Sequence, residues 1–445
     1  MLHRIALTDR PSLYSSALRL TVLNLGVIAV VAGCSPQQRH FPDAGTGGAG
    51  TSASSTSSGS GAGGSDGECS DGREECAGNT PRRCLDGSWE IGDECMGQTC
   101  VDGRCQGECA PEDVRCSDNQ PQRCDERGNW EDAAECPSEA PACDGGKCVL
   151  PSCVGLEDRC GPAADENCCA ATEVPGGTFD WTPDGTPPAS VSGFRLDRFE
   201  VTVGRFRRFV EAYPASVDAY PGNRPTANAG RNPKITGSGW QTEWDIELPE
   251  NAAALRRALK CHAVLPTWTD EPGEHEQKPI NCVNWYVAFA FCAWDRGRLP
   301  TLAEWTYAAV GGAEQRTYPW SNPSGSNNID HDHAVFGCGG NEACEFSDIM
   351  PVGSKSPLGD GRWMQADLAG NLWEWTLDWH ADEYPSECED CANLTRPRQT
   401  DPMVPPRREV RGGAYNEVGR VLLTSFHHHM DPSIGAYAVS LRCAR

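Results

Sequence analysis

The chain has 445 residues, with 38 Lys+Arg against 63 Asp+Glu and a formal charge of −25. That balance argues against a general nucleic-acid binder, which needs basic surface for phosphates, and against a protein held to anionic lipid by charge alone. The 25 cysteines do not suit an ordinary cytosolic enzyme and point to disulfides in an oxidising compartment, while 48 Gly, 33 Pro and 14 Trp describe a loop-rich chain that still builds a core.

Arg4, Arg10 and Arg19 precede an apolar run from Leu20 to Ala32. The run falls short of the roughly 20 residues that span a bilayer, and a basic segment followed by a short apolar one reads as a signal peptide. It ends in Val31-Ala32-Gly33-Cys34, which resembles a bacterial lipobox, with residues 1–33 removed and Cys34 lipidated. The alternative is ordinary signal-peptidase cleavage, with Cys34 as one more disulfide partner. Cysteine arithmetic favours lipidation, since setting Cys34 aside leaves 24, an even number. Losing residues 1–33 removes three Arg and one Asp and takes the formal charge from −25 to −27. Acyl chains rather than charge would then anchor the protein to a membrane. Residues 34–67 are otherwise Gly-, Ser-, Ala- and Thr-rich, too polar to bury a core, and read as a tether.

A cysteine repeat follows. Residues 68–107 carry Cys69, Cys76, Cys84, Cys95, Cys100 and Cys105, and residues 108–150 carry Cys109, Cys116, Cys124, Cys136, Cys143 and Cys148. Asn79 matches Asn119, Pro81 matches Pro121, and Trp89-Glu90 matches Trp130-Glu131. Neither unit has a histidine or a paired C-x2-C hook, so disulfides fit better than zinc. Six cysteines allow 15 connectivities that sequence does not separate. In residues 151–173, read as a linker, Cys153, Cys160, Cys168 and Cys169 allow two more bridges, with the adjacent pair bonding outward because a ring between neighbours is strained.

From 174 to 445 the aromatic content rises. Alternation over Phe194–Val201 predicts a strand. Thr202 caps a helix from Val203 to about Tyr213, with Phe206, Phe209 and Val210 on its apolar face. Asn284 caps a second, Trp285 to about Arg296, that Gly297 ends. Thr301 and Glu304 have the spacing of a reciprocal cap for a third. Turns and short strands fill the remainder, so the fold class is α+β. Cys338 and Cys344 flank a Gly-rich hairpin, Cys388 and Cys391 read as a staple, and Cys292 lies on an apolar helix face as a buried disulfide or thiol.

The segments Val174-Pro175-Gly176-Gly177-Thr178-Phe179, Arg198-Phe199-Glu200-Val201-Thr202, Asn281-Cys282-Val283-Asn284-Trp285, Arg298-Leu299-Pro300-Thr301 and Gly370-Asn371-Leu372-Trp373-Glu374-Trp375 occur in this order, followed by Arg411-Gly412-Gly413-Ala414-Tyr415 and Leu441-Arg442-Cys443. Together they resemble the formylglycine-generating enzyme (sulfatase-modifying factor) family over residues 174–445. The resemblance implies a variant C-type-lectin-like fold, and a chemistry in which copper and O2 oxidise a cysteine in a Cys-x-Pro-x-Arg segment to formylglycine. The family's two copper-binding cysteines follow its Gly-Gly-Ser motif. Here Glu417 and Leu422 stand at those positions and Ala414 replaces the serine, so a Cu(I) site of soft thiolates is not expected. The H-x3-H-x-E iron signature of the related sulfoxide synthases is also missing.

The resemblance further implies a structural Ca²⁺ held by Asp367, the carbonyls of Gly370 and Leu372, and Glu374, oxygen donors that suit a hard cation. A second calcium site would begin at Asn328 and Ile329. In His427-His428-His429, alternation along a strand lets His427 and His429 share a face, as candidates for a redox metal or a ligand, and His331 and His333 form another such pair. The expectation is a lipid-anchored protein of the bacterial cell envelope, in the outer membrane and facing periplasm or exterior. It would bind a peptide, glycan or other surface ligand without catalysis, the alternative being a divergent metal-dependent oxidase.

Overall fold

A computed structural model describes residues 69–181, 188–214, 224–385, 387–399 and 403–445. The expected leader, Cys34 and the tether lie outside the described residues, and no helix among those described is long and apolar enough to cross a membrane.

All 24 cysteines from Cys69 to Cys443 pair, in twelve disulfides. The two repeats use one connectivity: first to third, second to fifth, fourth to sixth. Each is a three-stranded antiparallel sheet followed by a two-stranded hairpin. The repeated asparagine joins the two parts. Asn79 accepts from Cys100 N at 2.8 Å and donates to Cys95 O, and Asn119 accepts from Cys143 N at 2.7 Å and donates to Pro141 O. The repeated tryptophans each carry a guanidinium, Arg82 over Trp89 at 4.5 Å and Arg115 over Trp130 at 4.2 Å. Such units bury little apolar surface, and cross-links stand in for a core.

The segment read as a linker is knit into the large domain. Ser152 N donates to Asp295 Oδ1 at 2.9 Å and Ser152 Oγ accepts from Arg205 Nε at 3.1 Å. Cys153 pairs with Cys169, Cys160 with Cys168, and Glu166 accepts from Arg198. The reason is electrostatic. Arg205 is fully buried between Asp197 at 2.8 Å and Asp295 at 2.7 Å, with Arg445 closing the group on the same two carboxylates. Ser152 supplies a remaining hydrogen bond of this interior network, as buried charge requires.

Among the described residues four α-helices start at side-chain caps, the three expected from the sequence and a short further one. Helix α1 (Val203–Ala212) is capped by Thr202, α2 (Ala252–Ala258) by Asn251, α3 (Trp285–Trp294) by Asn284, and α4 (Leu302–Val310) by Thr301. Helix α3 is buried all round from Trp285 to Cys292, and Phe291 stacks on Phe206 of α1 with centroids 5.2 Å apart. It stops earlier than the sequence predicts. Arg296 takes the left-handed conformation at φ 61°, and Gly297 N closes the end on Cys292 O at 2.7 Å. Gly297 serves close approach instead, since a Cβ there would lie 2.9 Å from Ala444 O. Where the Cys338–Cys344 hairpin was expected there is a tight turn over Gly337–Gly340, with Cys338 at φ 54° and Gly339 at φ 60°, both left-handed.

In α4, Thr301 Oγ1 accepts from Glu304 N at 3.0 Å while Thr301 N donates to Glu304 Oε2 at 2.9 Å. Thr301→Ala removes the first bond and leaves Glu304 paired with Arg298. We expect a loss of about 1 kcal/mol, read from the shift of the urea unfolding midpoint.

A four-stranded sheet organises the C-terminal half, in the order His428–Met430, Arg408–Arg411, Trp373–Trp379, Val439–Ser440. The first two pairings are antiparallel and the last is parallel. A smaller sheet pairs Ala171–Val174 with Phe194–Asp197, and Arg195 exchanges both backbone hydrogen bonds with Arg445. Few helices, short strands and many turns make this the expected α+β class.

Candidate functional site

Strand register assembles the main polar cluster. Between Trp373–Trp379 and Arg408–Arg411 the register runs Glu374↔Arg411, Trp375↔Val410, then slips to Trp379↔Arg408. Such a bulge re-aims the residues that follow it. His380 comes next, with its N–H on Arg407 O, and its Nδ1 lies 2.5 Å from Glu409 Oε1. On the other side Glu409 pairs with His429 in register. His427 and His429 share the Glu409 face: His427 Nδ1 is 3.4 Å from Glu409 Oε2, and the His429 ring stands 3.7 Å from that of His380. His428 points the other way and packs 5.4 Å from Trp373.

Among the described residues, His380, Glu409 and His427 are the one group of three whose ligand atoms all lie within 4.8 Å. His429 is beside this group rather than in it, and the group joins His427 to His380 and Glu409, neither of which the sequence pattern singles out. The Glu409 side chain is 2% exposed. Burial alone would raise its carboxyl, but the imidazoles of His427 and His380 outweigh that and hold it below the usual range. Burial and the neighbouring His380 push His429 down to about 4, which keeps it neutral at physiological pH. At 3.4 Å the Glu409 Oε2–His427 Nδ1 contact makes no proper hydrogen bond, and both atoms are buried without a hydrogen-bond partner.

Two concavities flank the cluster. One, about 320 Å³, is lined by Trp181, Leu302, Trp379, Tyr384, Asn393 and Glu409, among others. Trp181 and Tyr384 stack in it at 4.7 Å and 7°, and Trp181 Nε1 has no hydrogen-bond partner. The other, about 740 Å³, includes His380, Asp382, Arg398, Arg407 and His429.

The implied calcium residues, 367–374, lead into the Trp373–Trp379 strand. Asp367 is buried in a left-handed conformation at φ 57° and accepts from Gly353 N at 2.6 Å. Gly370, at φ 96°, sits where a Cβ would meet Val335 O at 2.4 Å, and Leu372 is fully buried. Both oxygens of Glu374 are held, Oε1 by Arg442 at 2.6 Å and Oε2 by Arg442 at 2.7 Å and Trp305 at 2.8 Å. Glu374 is therefore committed to a guanidinium. Glu200, Asp367 and Glu374 are all buried, and Arg442 lies among them. Burial drives Asp367 up to about 6 and Glu200 well above the normal carboxyl range, and Glu200 Oε1 has no hydrogen-bond partner. Asn328 and Ile329 are elsewhere, Asn328 exposed with its carbonyl accepting from Trp320 Nε1 at 3.3 Å.

At the positions of the family's copper cysteines, Leu422 is 1% exposed and packs in the main core, where Gly413 accommodates it, and Glu417 makes turn hydrogen bonds through its backbone. His331 stacks on Phe336 at 4.5 Å and His333 bonds Asp330 at 2.7 Å, a surface arrangement away from Glu409. No local pattern pointed to Glu409, since Arg408-Glu409-Val410-Arg411 carries three charges in four residues and is buried throughout. Nor did any point to His380, because its placement depends on the bulge.

A family model described as a sulfatase-modifying factor enzyme 1-like domain matches residues 158–445. The formylglycine-generating enzyme of Thermomonospora curvata is 27% identical over 277 residues, covering 54% of this chain and 81% of that protein. The inactive C-alpha-formylglycine-generating enzyme 2 of Mus musculus is 31% identical over 229 residues, covering 46% of this chain and 68% of that protein. Among solved structures, PvdO from Pseudomonas aeruginosa aligns with a TM-score of 0.41 at 20% identity, over 62% of this chain and 93% of that one.

Proposed function

The chain belongs to the sulfatase-modifying factor enzyme 1-like family, and from that premise we propose that it is a non-catalytic member, a recognition protein displayed on the bacterial cell envelope through a lipid on Cys34. One observation carries this reading: every cysteine from Cys69 to Cys443 is in a disulfide. Copper-dependent oxidation in this family needs a free thiolate pair, and here those positions hold a core leucine and a glutamate. A relative described as inactive adds support. The stacked Trp181–Tyr384 cavity offers flat apolar faces beside the unpartnered Trp181 Nε1 and Glu409 Oε2. Such a mixture suits a peptide, a glycan or another surface ligand. A structural Ca²⁺ would sit among the carbonyls of Gly370 and Leu372 and the Asp367 carboxylate, neutralising charge that Arg442 alone leaves unbalanced.

The test is metal analysis of the purified protein, joined to mass spectrometry of a Cys-x-Pro-x-Arg peptide incubated with it, Cu²⁺, a thiol reductant and O2. We expect calcium, no bound copper and an unchanged peptide. An aldehyde on the cysteine position overturns the proposal. It would favour the second reading, a divergent oxygen-dependent oxidoreductase, for which the His380–Glu409–His427 cluster is the supporting observation.

A further inference from the structure

We propose that His380, Glu409 and His427 form a binding site for one divalent transition-metal ion of the zinc class, separate from any calcium at Asp367. The argument starts from an unsatisfied pair. Glu409 Oε2 and His427 Nδ1 are both buried without a hydrogen bond and stand 3.4 Å apart. An unpaired buried carboxylate oxygen is costly. The spacing is long for a hydrogen bond but natural for two ligands on one ion: bonds of about 2.0–2.1 Å at a tetrahedral angle place donor atoms roughly 3.3 Å apart.

His380 is the third ligand, and its ring must turn or draw back from the 2.5 Å hydrogen-bond contact with Glu409 Oε1 to take its place on the ion. The ligand atoms of all three residues fall within 4.8 Å of one another. Two imidazoles and one carboxylate form a borderline donor set that suits zinc or ferrous iron better than calcium. The scaffold is rigid where it must be. Glu409 sits in a strand bonded on both sides, to Trp373–Trp379 and to His428–Met430, so the carboxylate is fixed and the histidines close on it. His380 lines the larger concavity and Glu409 the smaller. An ion held by three protein ligands keeps a coordination position for water or a ligand group. Asp382 Oδ1, 3.6 Å from His380 Nε2 and exposed, can receive the second imidazole N–H or approach the ion.

Protein stripped of metal and returned to calcium-containing buffer is titrated with Zn²⁺ by calorimetry, and with Co²⁺ followed by its visible absorption. One ion binds per chain. His427→Gln and Glu409→Gln each weaken it by more than roughly 100-fold, the upper end of what loss of a mere outer-shell partner does. His429→Gln leaves affinity within a few-fold. His427 is about one-third exposed (34%), so its variant does not threaten folding, which near-ultraviolet circular dichroism checks. Folded His427→Gln protein that binds Zn²⁺ as tightly as the parent overturns the proposal, because the ion would then be held without His427. Absence of a stoichiometric site in the parent overturns it too. Neither outcome bears on the peptide assay, so the two readings fail independently.

Discussion

Replacing Cys292 and Cys443 together by alanine lowers the stability of the large domain by about 5 kcal/mol, from the loop-closure relation. The bond joins residues 151 apart, from α3 to the final strand region, and both sulfurs are fully buried. Without it the unfolded chain regains the freedom of a very long loop, while the native packing changes by only two sulfur atoms. The comparison variant removes Cys388–Cys391, a separation of 3, for which the same relation gives about 2 kcal/mol. Guanidinium unfolding followed by tryptophan fluorescence reads both midpoints. Equal losses would show that local packing, not loop length, sets the contribution.

Arg442→Leu is expected to cost about 3–5 kcal/mol, lowering the melting temperature by roughly 6–20 °C. Arg442 is fully buried, and its side chain bonds both oxygens of Glu374 and the carbonyls of Asp197, Arg198 and Ala366. Its loss leaves Glu374 beside Glu200 and Asp367 with no guanidinium among them. The double variant Arg442→Leu, Glu374→Leu removes one of those charges along with its partner and should recover part of the loss, because an uncompensated buried ion is worse than an apolar pair. Differential scanning calorimetry of the single and double variants decides it. A single variant that melts within 2–3 °C of the parent, the span of about 1 kcal/mol in a domain this large, would mean that solvent or a cation already shields the carboxylates.

Thr202, Asn284 and Thr301 were legible in the sequence because a cap is a local device: each side chain bonds a backbone N–H three residues on. Ordered motifs likewise identified the fold family. Arg205 was not legible. Its helix presents an evident apolar face, yet Arg205 is buried because Asp295, 90 residues on, and the C-terminal Arg445 converge with nearby Asp197 around it. The metal cluster divides the same way. The His427/His429 alternation is a local pattern, whereas Glu409 and His380 enter through cross-strand register and a bulge. The asparagine shared by the two small repeats was visible as a match, and only the structure shows it stitching hairpin to sheet.

The Cys292–Cys443 bond also has a mechanical consequence. Tension applied at Arg445 passes through two peptide units to Cys443 and then crosses sulfur to Cys292, so the 151-residue interval stays slack. At about 3.3–3.6 Å per extended residue, roughly 500 Å of contour is withheld from any stretch. His380, Glu409, His427, Asp367 and Glu374 all lie within that interval. Pulled between any point before Cys292 and the C-terminal strand, the molecule would transmit force around its candidate sites rather than through them.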